Sequence, residues 1–292
     1  MRTINKIAIM LLTLVSMQAV AAQTDSTKTE APKVHNSYLP EKGSFAIGAD
    51  ATPLFDFVGN MFNGNLNNSL NISTPLIYAK YYLTDLTALR MVVGVQNATN
   101  NQLTYVADDA ARLANPLSNA EVTDGLKNSV NQYLVSMGVQ KFIGEKRLRG
   151  FYGGQLFGIY DKNKNEYTYG NPMTSLNPTP NTAYLYTAGA RTLSEVTIHN
   201  FKIGAGAIAG FEYYLMPQLC VGGEVSLNLI YTQNLQLYNK SEKMVGDKLT
   251  LVDKATVAGG HDFSILSSSF TPVAPGNSKM FQHVGLYVML HF

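Results

Sequence analysis

The sequence predicts an all-β fold: a transmembrane antiparallel up-and-down β-barrel of eight strands, with ten as the alternative. Three observations carry this. Eight stretches alternate apolar and polar residues with a period of two. The connections between them alternate strictly between short and long. Charged residues make up only 14 % of the chain, well under the ~25 % usual in soluble domains, and the chain after Val20 has no run of ~18 apolar residues that would make a helical span.

The elements follow in order. Arg2 and Lys6 precede an apolar stretch from Ile7 to Val20, and small residues follow in "AVAAQ". This reads as a secretory signal peptide over 1–22, cut after Ala22. The apolar stretch is too short for a membrane anchor, which needs ~20 residues. Residues 23–42 are polar, contain Pro32 and Pro40, and read as a linker. The barrel domain then occupies 43–292. Without Arg2 and Lys6 the chain holds 20 basic and 20 acidic residues. A nucleic acid partner would demand a basic field, and none is present. The single cysteine, Cys220, rules out a disulfide framework.

The eight alternating stretches are Gly43–Pro53, Thr74–Thr84, Leu86–Asn97, Val130–Ile143, Leu148–Tyr160, Ile198–Leu215, Gln218–Thr232 and a last one from Phe281 to the end. Most meet the ~9–11 residues a tilted strand needs to cross a bilayer. The short connections are Thr84–Asp85, Gly144–Arg147 and Met216–Pro217. The long ones are Leu54–Ser73, Ala98–Ser129, Asp161–Thr197 and Gln233–Met280. A membrane barrel with both termini in the periplasm has tight periplasmic turns and long outer loops. A β-sandwich has no reason to sort its loops by parity.

Alternation also assigns faces. In the sixth stretch Phe201, Ile203, Ala205, Ala207, Ala209 and Phe211 oppose Lys202, Gly204, Gly206, Gly210 and Glu212. The apolar set faces lipid and the polar set the lumen. Seven charges then point inward: Asp50, Lys80, Arg90, Arg149, Lys202, Glu212 and Glu224. An eight-stranded lumen is only wide enough for side chains, and enclosed charges must be paired. The expectation is a salt-bridged plug, with inward glycines making room for the long charged side chains. In the fifth stretch this register turns Phe151 and Phe157 inward with Arg149.

The chain ends "VGLYVMLHF", with Leu286, Val288, Leu290 and Phe292 at alternate places. This resembles the C-terminal signal by which outer-membrane barrels are handed to their assembly machinery, although Tyr287 stands where that signal usually has glycine. Together with the signal peptide and the strand pattern, about 250 residues resemble the small outer-membrane β-barrel proteins of the Bacteroidetes, in the broad OmpA/OmpX/OmpW-like barrel group. The resemblance implies a place in the outer membrane of a Gram-negative bacterium, loops outward, with outer-membrane lipid and the barrel assembly machinery as partners.

No catalytic, cofactor or metal site is expected. His199 with Ser194 and Glu195, and His261 with Asp262 and Ser264, are the two groupings that could be drawn as a triad. Such clusters are common in polar loops, and a triad requires hydrogen-bond reach. His283 and His291 read as lumen or rim residues. With no Trp, the interfacial girdles fall to tyrosines such as Tyr78, Tyr81, Tyr82, Tyr152, Tyr160, Tyr213, Tyr214 and Tyr231.

The loops are left to carry function. Leu103, Val106, Ala107, Ala110 and Leu113 share helical spacing. "KLTLVDKATV" and "DFSILSSSF" in the last loop extend the wall as hairpins, or supply strands nine and ten. Three functions follow, in order: a structural or binding protein acting through its loops on a surface or membrane partner; a small pore or carrier for small apolar molecules; a rim enzyme acting on lipid A.

Overall fold

Strands form here wherever lipid takes one face and packed side chains take the other. The computed structural model describes residues 38–62, 76–184, 186, 189–256, 260–267 and 285–292. The expected signal peptide and most of the expected linker lie outside them. The described residues form β1 (Phe45–Asp50), β2 (Leu76–Thr84), β3 (Thr87–Ala107), β4 (Glu121–Ile143), β5 (Leu148–Thr168), β6 (Arg191–Met216), β7 (Leu219–Asn234), β8 (Leu237–Val245), β9 (Lys248–Thr256), β10 (His261–Ser267) and β11 (Gly285–His291). Two helices join them, α1 (Thr52–Phe62) and α2 (Asp109–Ala114).

Eight strands close into an antiparallel ring in the order β1, β2, β3, β4, β5, β6, β7, β11. The seam is β1 on β11, where Ala46 faces His291 and Asp50 faces Tyr287. Closure removes every free edge at that level, which lipid requires. The turns at one end are short, and Gly144, at φ 103°, makes the β4–β5 turn in a conformation that suits glycine alone.

The outward face is a greasy belt. Tyr133, Val135 and Met137 on β4, Phe201 and Phe211 on β6, and Leu227 on β7 are all exposed. Such a patch is untenable in water and suits hydrocarbon. On β4 and β5 the belt ends at Tyr133 and Tyr160, whose rings stack 6.3 Å apart. Beyond them the same face carries Lys127, Lys162, Lys164 and Glu166.

Four expectations change. The first stretch does not run to Pro53: β1 stops at Asp50 and α1 follows. Pro53 has no N–H for a ladder, and the Asp50 carboxylate accepts the Thr52 N–H at 2.9 Å. Next, β3 to β6 continue far past the membrane belt, so much of the two middle loops is paired strand. Those extensions carry polar residues on both faces, which hides the period of two. Leu103, Val106 and Ala107 belong to β3, and only Asp109–Ala114 are helical, with the Asp108 carboxylate accepting from the Ala111 N–H.

The last loop behaves differently again. β8 and β9 form a hairpin on the far end of β6, turning at Gly246 with φ 58°. β10 and β11 lie one after the other along the same edge of β7, both antiparallel to it. The eighth place in the wall is therefore filled by two pieces, and the ring count stays at eight. Part of the stretch from Phe281 falls outside the described residues.

Candidate functional site

The lumen is built from β2 and β3 outward. Lys80 on β2 pairs directly with Arg90 on β3. Both are buried, at 2 % and 4 % exposure. Adjacent like charges repel, and each finds its acid elsewhere. Lys80 Nζ donates to Glu212 Oε1 on β6. Arg90 Nη2 donates to Glu224 Oε1 on β7 at 2.9 Å. In the ring β2 and β6 are four places apart, as are β3 and β7. Both ion pairs therefore join opposite walls and cross the barrel axis.

Neighbours complete each pair. Glu212 also accepts from Tyr287 at 2.8 Å and Tyr214 at 2.7 Å. The Lys80 ammonium lies 4.9 to 5.6 Å from the rings of Tyr287, Phe151 and Phe142, a cation–π cage. The hydroxyls of Tyr82 on β2 and Tyr214 on β6 meet at 3.4 Å and make a further crossing. On the long-loop side of these pairs lies a neutral row, with Ser136, Gln155 and Asn228 hydrogen-bonded in sequence.

The remaining charges of the expected network do other work. Lys202 pairs with Asp161 on the neighbouring strand at 2.5 Å, and Gln132 donates to the same carboxylate. Asp161 falls in a loop by alternation alone, and is an inward acid that alternation misses. Arg149 stacks over Phe142 at 4.7 Å and donates to the Asp85 carbonyl at 2.6 Å, so it seals the short-turn end. Asp50 caps the start of α1.

The inward glycines serve aromatic rings and amides more than charges. A Cβ at Gly210 would lie 2.5 Å from Phe151, at Gly204 2.4 Å from Phe157, and at Gly222 2.3 Å from Tyr287. Tyr78, Tyr82 and Tyr214, expected in the girdles, are instead buried in the lumen. Tyr81, Tyr152 and Tyr213 do face outward.

Neither histidine grouping assembles. His199 contacts the Tyr160 hydroxyl at 3.2 Å and the Gln236 carbonyl at 2.9 Å. Glu195 is taken by Tyr167 and Asn165. The His261 ring stacks on Tyr231. His291 is buried with its Nε2 3.3 Å from Cys220 Sγ, and His283 lies outside the described residues. Among the described residues no cluster of three metal-ligating side chains occurs.

At the long-loop end, the segment after β5 is tied down rather than loose. The buried Asp124 carboxylate accepts from Gly170 N at 2.9 Å, Thr182 Oγ1 at 2.6 Å and Ala183 N at 2.9 Å. Asp109 accepts from Asn177 and from the Asn181 N–H, both at 2.7 Å. Arg191 binds Glu242 at 2.6 Å and the Asn171 carbonyl at 2.7 Å. Burial and the neighbouring Glu195 carboxylate push the Tyr167 phenol up to about 12.

Residues 62–268, which include most of this ring and both ion pairs, match the family model of the OmpA-OmpF-like porins. The chain belongs to that porin family. Membership makes it a porin-like outer-membrane β-barrel. Among solved structures it is similar to the outer membrane protein OprG from Pseudomonas aeruginosa, with 10 % identity, 87 % of this chain and 98 % of that chain covered, and a TM-score of 0.31. It is also similar to a major outer membrane protein from Thermus thermophilus, with 12 % identity, 86 % and 99 % covered, and a TM-score of 0.37. No curated protein matches this porin-family chain.

Proposed function

We propose that this barrel is closed, and that it works as a binding or structural protein through its long-loop end, which faces the cell exterior. The observation that carries this is the pair of ion pairs, Lys80–Glu212 and Arg90–Glu224, that join opposite walls. Ions passing the lumen would have to break buried charge pairs, which is costly. The pinned segment of residues 169–184 supports a binding role, because a preordered surface spends less entropy on capture.

The surface supports two partners. Outer-membrane lipid covers the belt. Leu286, Val288 and Leu290 share the outward face of β11 and Phe292, 75 % exposed, continues their row, which suits recognition by the assembly machinery.

Planar-bilayer recording on the refolded protein tests the closed lumen: silence supports it, and steady discrete conductance contradicts it. Orientation is tested with Lys254→Cys and Glu145→Cys. A membrane-impermeant maleimide on intact cells should label the first and spare the second; the reverse pattern would invert the loops. Cys220 is buried and stays silent in both.

A further inference from the structure

Beyond the Tyr133–Tyr160 pair, the wall carries on for about eight residues of β5, roughly 25 Å at strand rise. Gln132 and Asp161 fix which positions of β4 and β5 point inward. Counting by twos, β5 offers Asn163, Asn165 and Tyr167, and β4 offers Asn128. On β3, Gln96 faces Gln132, and Asn100 faces Asn128. The inner face of the outer wall therefore carries a row of side-chain amides, interrupted by Ala98, Leu126 and Val130.

The contacts agree with that count. Asn128 Nδ2 donates to Asn163 at 3.0 Å and to Asn165 at 2.6 Å. Asn165 Nδ2 and the Tyr167 hydroxyl both donate to Glu195, at 3.0 and 2.8 Å. The Tyr184 ring packs edge-on against Tyr167, with centroids 5.0 Å apart. Tyr184 belongs to the segment that Asp124 draws over this same face. Asn128, Asn163 and Asn165 remain partly accessible, and Asn100 is exposed.

The chemistry of this surface selects its ligand. Lys202 and Asp161 neutralise each other, and the Glu195 carboxylate is already held by Asn165 and Tyr167, so an anion gains nothing there. An apolar molecule would leave amides desolvated and unpaired, at a cost of ~1–3 kcal/mol for each group. Each amide offers an acceptor and two donors, which matches a dense array of hydroxyls. Tyr167 and Tyr184 add aromatic surface against which the C–H face of a sugar ring packs. We infer that the inner face of the outer wall binds a neutral oligosaccharide, held by Asn128, Asn163 and Asn165 with Tyr167 and Tyr184. This deepens the binding role proposed above and rests on it.

The test uses the refolded protein in lauryldimethylamine oxide, since a sugar-headed detergent would compete. Maltohexaose, cellohexaose and chitohexaose are titrated by calorimetry and saturation-transfer NMR. Saturable binding of at least one is expected, weakened at least tenfold by Asn128→Leu with Asn165→Leu. Lys164→Ala, on the opposite face of β5, should leave it unchanged. If the leucine variant does not fold, the near-isosteric Asn128→Asp with Asn165→Asp gives the same readout. Absence of binding across the three sugars, binding that survives the double substitution, or binding only of an anionic hexasaccharide or a neutral peptide overturns the inference. Its failure is separable from failure of the closed lumen. A silent bilayer with no sugar binding removes only the sugar site, and steady conductance with sugar binding removes only the plug.

Discussion

Lys80 and Arg90 stand directly opposite one another on neighbouring strands, and each sends its charge across the barrel to a glutamate on the far wall. Two like charges side by side would ordinarily splay a sheet. Here their repulsion is offset by Glu212 and Glu224, and the same arrangement fills the lumen.

Because both members are buried, deleting one strands the other. Glu212→Ala should cost about 3–5 kcal/mol, the range for breaking a buried pair. Lys80→Met with Glu212→Leu should recover most of that loss, since an apolar pair needs no compensation. Urea unfolding in lipid vesicles, followed by the gel shift of the folded barrel, measures both. A double variant no more stable than the single one would show that the charges are not coupled.

The Lys202–Asp161 pair should matter less. The Lys202 side chain keeps 23 % of its exposure, so water already screens it. Lys202→Ala is expected to lower stability by about 1 kcal/mol or less. A loss matching that of Glu212→Ala would place Lys202 in a far drier site.

Gly222 tests the packing account. The three atoms nearest a Cβ there all belong to the Tyr287 side chain, at 2.3 to 2.6 Å. Gly222→Ala should cost about 1–3 kcal/mol, as overpacking does. Tyr287 must then shift away from Glu212, so the substitution should also cut the benefit of the Lys80–Glu212 pair in a double-mutant cycle. Simple additivity would argue against that link.

Asp124→Ala should act locally. It removes the acceptor for Gly170, Thr182 and Ala183 and leaves the membrane ring untouched. Limited proteolysis should cut at least tenfold faster within residues 172–184, with the folded gel mobility unchanged. Protection equal to the unmodified protein would mean the segment is held by other contacts.

How much of this is legible in the sequence depends on where lipid lies. In the belt each residue meets either hydrocarbon or the lumen, so the period of two is sharp. Lys80, Arg90, Glu212 and Glu224 can be placed inside from that alone, even Phe151 beside Arg149. Above the belt both faces of β3 to β6 meet polar surroundings, the period fades, and Asp161 reads as loop although it continues the inward row of β5. The tyrosines mislead for a related reason. Tyr78, Tyr82 and Tyr214 look like girdle residues by type and place, but parity puts them with Lys80 and Glu212, whose carboxylate uses Tyr214 as a donor. Which acid each base chooses is not legible, because a partner four strands away is set by ring closure rather than by spacing.

The most direct test is single-channel recording of the unmodified protein beside Lys80→Ala with Arg90→Ala, both refolded and inserted into planar bilayers. The expected result is silence from the first and discrete openings from the second, because removing both crossing bases leaves the lumen centre unfilled. Steady conductance from the unmodified protein would contradict the closed lumen.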